Sequence, residues 1–231
     1  MSATVETILG IPTGYRSQQV ARFLGQLDEQ RRVLLADARG LTPEELEWQP
    51  APGMNSIGML LAHIAFAEAH LTQVGILAEP TGHAHDVVGI TEEEEGLPLE
   101  PGAPPSPALR GKDLAYFEDL LARARAHTRK VAVALADADL ERRVNRTRPD
   151  GVKRVFNLEW VLYHLLEHEA GHHGQINLLR HFYRVKHQPI AGRAQGGPSR
   201  TKEFESSEST DVAEAFAMRL NGLVAWGVSC P

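Results

Sequence analysis

The sequence predicts an all-α protein, a bundle of four long helices, and three observations carry that expectation. Stretches starting near Arg16, Ser56, Lys112 and Trp160 each repeat apolar residues at intervals of three and four, the spacing of one helix face. Prolines fall between these stretches, at 50–52, 80–107 and 149. A chain of 231 residues with 42% hydrophobic content suits one domain with a sizeable core.

Residues 1–15 lack a strong pattern and are expected to form a loose N-terminal arm. The first helix runs from about Arg16 to Ala38 on Val20, Phe23, Leu24, Leu27, Leu34 and Leu35, with Arg31 interrupting the stripe and Gly40 ending it. Thr42-Pro43-Glu44-Glu45 is a capping-box start for a short helix that stops near Trp48, ahead of Pro50 and Pro52. Asn55 or Ser56 caps the second long helix, whose stripe is Ile57, Leu60, Leu61, Ile64 and Leu71. Residues 80–110 hold six prolines and the acidic run Glu92 to Glu95, so a long surface connection is expected, with the charges, His83 and His85 facing solvent. The third helix spans about Lys112 to Leu135, and its stripe, including Phe117, Leu121, Ala124 and Thr128, has the rhythm of a bundle core. Asp137 to Val144 can add a turn, and Pro149-Asp150-Gly151 can close a small hairpin over 145–155. Asn157 caps the fourth helix, Trp160 to Arg184. Beyond Lys186 the chain is rich in Gly, Pro and Ser, then polar, with a short helix expected at 212–226.

Net charge is −6 and the pI is near 6.0, which argues against a general nucleic-acid or membrane-surface binder. With one cysteine, Cys230, no internal disulfide and no cysteine metal cluster can form. Neither a basic-plus-apolar N-terminal signal nor a run of 18 apolar residues is found, so a soluble cytoplasmic protein is the expectation.

The chemistry concentrates on the fourth helix. With 100° per residue, His172 falls about 20° from the centre of its apolar stripe, His168 about 60° and Glu169 about 40° to the other side. Two histidines at i and i+4 can offer two nitrogens to one metal ion, and unpaired burial of such groups would cost roughly 1–3 kcal/mol each. His63, on the second helix, lies about 100° off its stripe, a boundary position by phase alone. His173 (about 80°) and His164 (about 100°) point away from the fourth helix's stripe, although His164 stays open as a ligand or supporting group. His168-Glu-Ala-Gly-His172 also matches HExxH, the zinc motif of one peptidase class, with Glu169 in the place of the general base. Beyond the possible small hairpin, no strands are predicted before the helix and no clear later ligand follows it, which makes peptidase the minor alternative.

Two separated segments resemble the DinB-like (damage-inducible) superfamily. Asn55-Ser-Ile-Gly-Met-Leu-Leu-Ala-His63-Ile-Ala-Phe-Ala-Glu68 is similar to its second-helix signature, and Leu166-Glu-His168-Glu-Ala-Gly-His172-His-Gly174-Gln175-Ile176 to its fourth, which ends in His-x-Gly-Gln. Leu41-Thr-Pro-Glu-Glu-Leu-Glu-Trp48 looks like its lead-in. The resemblance covers roughly residues 16–186, leaving 187–231 as a C-terminal extension without an assigned role. It implies an up-down-down-up bundle with a long crossover between helices two and three, a homodimer, and a metal triad of His63, His168 and His172. The implied activity is that of a thiol S-transferase acting on small electrophiles. Zn or Ni would be the metal and a low-molecular-weight thiol the cosubstrate. A metal-dependent hydrolase and a non-enzymatic metal-binding stress-response protein are the alternatives. Glu169 and Glu68 are the candidate catalytic carboxylates, for orienting an imidazole or moving a proton; a plain salt bridge is the competing role for each. Gly171 and Gly174, costly inside a helix, are expected to permit close approach of a neighbouring helix or ligand.

Overall fold

The computed structural model describes residues 6–97, 104–147 and 151–187. Its helices begin where small polar side chains take backbone amides that the first turn cannot pair. Ser17 accepts from the Val20 amide and opens α1 (Gln18–Ala38). Thr42 and Glu45 form the expected reciprocal capping box of α2 (Pro43–Glu47). Ser56 caps α3 (Ile57–Leu71), which runs on through a π-helical turn, Thr72–Ile76. The turn seats Gly75 against α3's later neighbours: a Cβ there would lie 2.9 Å from a methyl of Val161.

Residues 80–110 are not a bare surface connection. Their described part folds into α4 (Ala84–Val88), α5 (Glu92–Glu95) and a 3-10 turn at Pro107–Leu109. Ala84, Val88, Ile90, Leu97 and Leu109 are buried, with α4 packed on α3 and α6 (Leu114–Ala132), and α5 on α3. Single-turn helices are too short to show a periodic stripe, so their apolar residues look scattered in the sequence. Gly89 and Gly96 end them in the left-handed conformation that closes a helix. This packing leaves α3 without a solvent face: only Phe66 and His70 fall outside its buried set.

A 3-10 turn at Asp137–Glu141 leads to a hairpin of β1 (Arg143–Thr147) and β2 (Lys153–Asn157), antiparallel, with Val144 opposite Phe156 and Thr147 opposite Lys153. Val144 and Phe156 share the inward face and are buried. Asn157 then caps α7 (Leu158–His187) by accepting from the Trp160 amide.

Each of the four long helices packs chiefly on two others: α3 on α6 and α7, and α1 on α7 and α6. The core has two parts. One joins α3, α6 and the crossover segment around Leu60, Ile64, Phe117 and Leu121; the other joins the start of α7, the hairpin and α1 around Leu24, Leu27, Val161 and Leu165. Ile57–Ile76 is long and apolar enough to cross a bilayer by composition, but 94% of that window is buried, so its apolar surface is covered by protein. The described part of the N-terminal arm crosses α1 at Gly25, where a Cβ would stand 2.6 Å from the Gly10 carbonyl oxygen, while Ile8, Leu9 and Ile11 stay exposed. The candidate helix at 212–226 lies outside the described residues.

Candidate metal centre

His63 from α3 and His168 and His172 from α7 converge. His168 Nε2 stands 3.1 Å from His63 Nε2 and 3.1 Å from His172 Nε2, and all three rings are buried. Helical phase misplaced His63 because a stripe-centre argument assumes one wet side. Here α5 covers the side that would have been wet, and His63 is 4% exposed.

The outer histidines are held from behind. His63 Nδ1 donates to Glu95 Oε2 at 2.7 Å, and His172 Nδ1 donates to Gln175 Oε1 at 2.7 Å. For neutral imidazoles these bonds leave both of their Nε2 atoms as bare acceptors. A single proton on His168 Nε2 can satisfy one of its two contacts, never both. A cation among the three nitrogens removes that conflict. The spacing fits one as well, since two nitrogens on a tetrahedral zinc at 2.0–2.1 Å are ~3.3 Å apart. The three residues form a group able to hold a metal ion, and they leave coordination positions free. Burial first, then the neighbouring histidines, holds His168 well below its usual pKa, and burial with His63 brings His172 to about 4. Both are therefore neutral imidazoles at neutral pH, the form that can ligate a metal.

Glu95 was concealed in the acidic run. It is 2% exposed, and burial raises its pKa against the opposing pull of His63. Two signals mark it: Thr91 and Glu94 form a capping box, and Gly96 follows. Together they start and stop one helical turn, turning one of four adjacent glutamates inward.

Glu169 and Glu68 bond to arginines. Glu169 Oε1 accepts from Arg31 Nε at 2.7 Å, and its Oε2 from Arg31 Nη2 at 3.0 Å and Arg125 Nη2 at 2.9 Å. Glu68 Oε1 accepts from Arg125 Nε at 2.6 Å, and its Oε2 from Arg31 Nη2 at 2.9 Å. Burial alone would raise the Glu68 pKa, but Arg125 and Arg31 outweigh it and hold the carboxyl below its usual value. Each long helix places one buried residue in this network, and Asp28 of α1, partly exposed, joins it by accepting from Arg125 Nη1 at 3.0 Å. Arg31, which broke the α1 stripe, is its buried α1 member.

Other candidates point elsewhere. His164 stacks on Trp160, with ring centroids 4.5 Å apart, and contacts Glu167. His173 pairs with Asp37 and Gln30 of α1. His83 and His85 are exposed. Gly171 and Gly174 do not mark a close approach: a Cβ at either would meet nothing within 4 Å. A cavity of about 240 Å3 is lined by Trp48, Ser56, Met59, Ser106 and Arg110, among others. Met59 is four residues before His63 on α3, but none of the triad lines the cavity.

Fold and site together define a predominantly helical protein with a buried three-histidine group that could hold a divalent metal. The sequence model of the DinB superfamily matches residues 26–176, and the chain belongs to that superfamily. No curated protein matches it in sequence. A crystal structure described as the conserved protein of locus from Enterococcus faecalis is 18% identical, aligned over 73% of this chain and 96% of its own, with a TM-score of 0.48.

Proposed function

We propose that this protein is a metal-dependent S-transferase, joining the sulfur of a low-molecular-weight thiol to a small electrophile. Its helices would run up-down-down-up, and it would act as a cytoplasmic homodimer. The observation that carries the chemistry is the convergence of three Nε2 atoms, with the tautomers of His63 and His172 set from behind by Glu95 and Gln175. His63, His168 and His172 would hold zinc or nickel. When bound, such an ion supplies Lewis acidity, lowering the pKa of a thiol so that its thiolate is available at neutral pH. A thiol needs little further help from a base. That point separates this activity from hydrolysis, in which the HExxH glutamate must take a proton from water. Glu169 is committed to Arg31 and Arg125 through both oxygens, which weighs against a peptidase-like role. The only cysteine is Cys230, so the reacting sulfur would come from a cosubstrate.

The test is turnover of monochlorobimane with a panel of small thiols, in zinc- and nickel-loaded protein purified without a histidine tag. Metal-dependent, thiol-dependent conjugation that disappears in His172→Ala is expected. A second possibility, a non-enzymatic metal-binding protein, is favoured by ligand exposures of only 4–8%. Metal-dependent stability with no turnover for any thiol would select it and reject the transferase.

A further inference from the structure

Glu95 reaches His63 from the segment between α3 and α6, not from any of the four long helices. That segment is fastened at several points. Val88, Ile90 and Leu97 are buried, Ser106 Oγ donates to the Glu94 carbonyl at 2.5 Å, and Gly96 sits at φ 78° with room for no side chain: a Cβ would lie 2.9 Å from Ser106 Cβ. The Glu95 carboxylate bonds this segment to a triad imidazole, His63.

A cation on His63 Nε2 draws electron density from the ring and makes Nδ1–H a stronger donor. The carboxylate 2.7 Å behind it is therefore held more tightly when the site is filled. Coupling of this kind is reciprocal: whatever factor Glu95 adds to metal affinity, metal adds to closure of the segment that carries Glu95. We propose that Glu95 is a positioning residue for His63, and that through it metal occupancy fastens residues 84–97 onto α3. This rests on the metal-site reading above. It adds a consequence that a rigid three-histidine cup would not have.

Two measurements on the full chain test it. Zinc affinity is determined by competition with a chelating indicator for the wild type, Glu95→Gln, Gly96→Ala and His168→Ala. Amide exchange of residues 84–97 is followed with zinc and with EDTA. Glu95→Gln keeps the volume but loses the charge, and affinity should fall roughly 10–100-fold, the range for removing the carboxylate behind a ligand histidine. Gly96→Ala touches neither ligand nor carboxylate, and should also weaken binding by loosening the segment. In the wild type, zinc should slow exchange in residues 84–97, and in Glu95→Gln it should not. Zinc binding equal in wild type and Glu95→Gln, or exchange in residues 84–97 indifferent to zinc in the wild type, overturns the coupling. If His168→Ala binds zinc as well as the wild type does, the triad itself is wrong and the coupling falls with it. Loss in His168→Ala alone, with Glu95→Gln unchanged, defeats only the coupling.

Discussion

Glu169→Gln should destabilise the protein by about 3–5 kcal/mol while leaving its metal content equal to that of the wild type. The carboxylate is 2% exposed and accepts three guanidinium bonds of 2.7–3.0 Å from Arg31 and Arg125. An amide has one acceptor oxygen, so its NH2 would face a guanidinium nitrogen, donor against donor. It also removes one of the two buried carboxylates that face Arg31 and Arg125, and Asp28, partly exposed beside Arg125, offsets only part of that loss. Breaking a buried pair in this way costs several kcal/mol, a large share of the ~5–15 kcal/mol that a whole domain commands. Urea unfolding followed by circular dichroism, with an unchanged slope, measures the loss. A loss below about 1 kcal/mol would refute the network's structural weight. Unchanged stability with metal-dependent chemistry abolished would return Glu169 to the role of a base.

The metal-free protein should weaken in acid. An unfolded chain binds protons at its ordinary histidine pKa of 6.5, whereas His172 resists until about 4 and His168 shifts in the same direction. The contribution is thus whole above 6.5 and is lost as pH falls through that interval, about 3 kcal/mol from His172 alone; urea midpoints in EDTA that stay level across it would contradict this. Gly171→Ala and Gly174→Ala should each raise stability by up to about 1 kcal/mol, since helix propensity improves and nothing is displaced; a fall in Tm for either would show a neighbour on that face. Gly58→Ala should do the opposite, costing about 1–3 kcal/mol, because its Cβ would meet Phe117 Cζ at 2.8 Å and the Leu46 carbonyl oxygen at 3.1 Å. A Tm equal to wild type would mean that Phe117 moves aside freely.

How legible the site was depended on how far each residue's surroundings are local. His168 and His172 share one helix, so spacing alone brought them together. The phase of His63 misled because α3 is covered on all sides, and only its resemblance to a family motif recovered it. Arg31 stood out as a charge on an apolar stripe, and such a charge needs a buried partner. Its partners lie on α3 and α7, beyond what the period of one helix can show. Glu95 was hardest, since one turn of helix sets which of four glutamates faces inward. The two glycines beside the α7 histidines misled differently: Gly in a helix suggests close packing, yet Gly171 and Gly174 face open space.

The π-helical turn at Thr72–Ile76 lets one rod serve two masonries. A widened turn takes in an extra residue, rotating everything beyond it by about 100° relative to an unbroken α-helix. Leu60, Leu61 and Ile64, well ahead of it, belong to the half of the interior shared with α6; Leu71, which leads into the turn, and Ile76, which closes it, belong to the half built on α1 and the hairpin. Deleting a single residue there would re-phase Ile76 and draw it out of the second half, although no atom of the histidine cluster would have been touched.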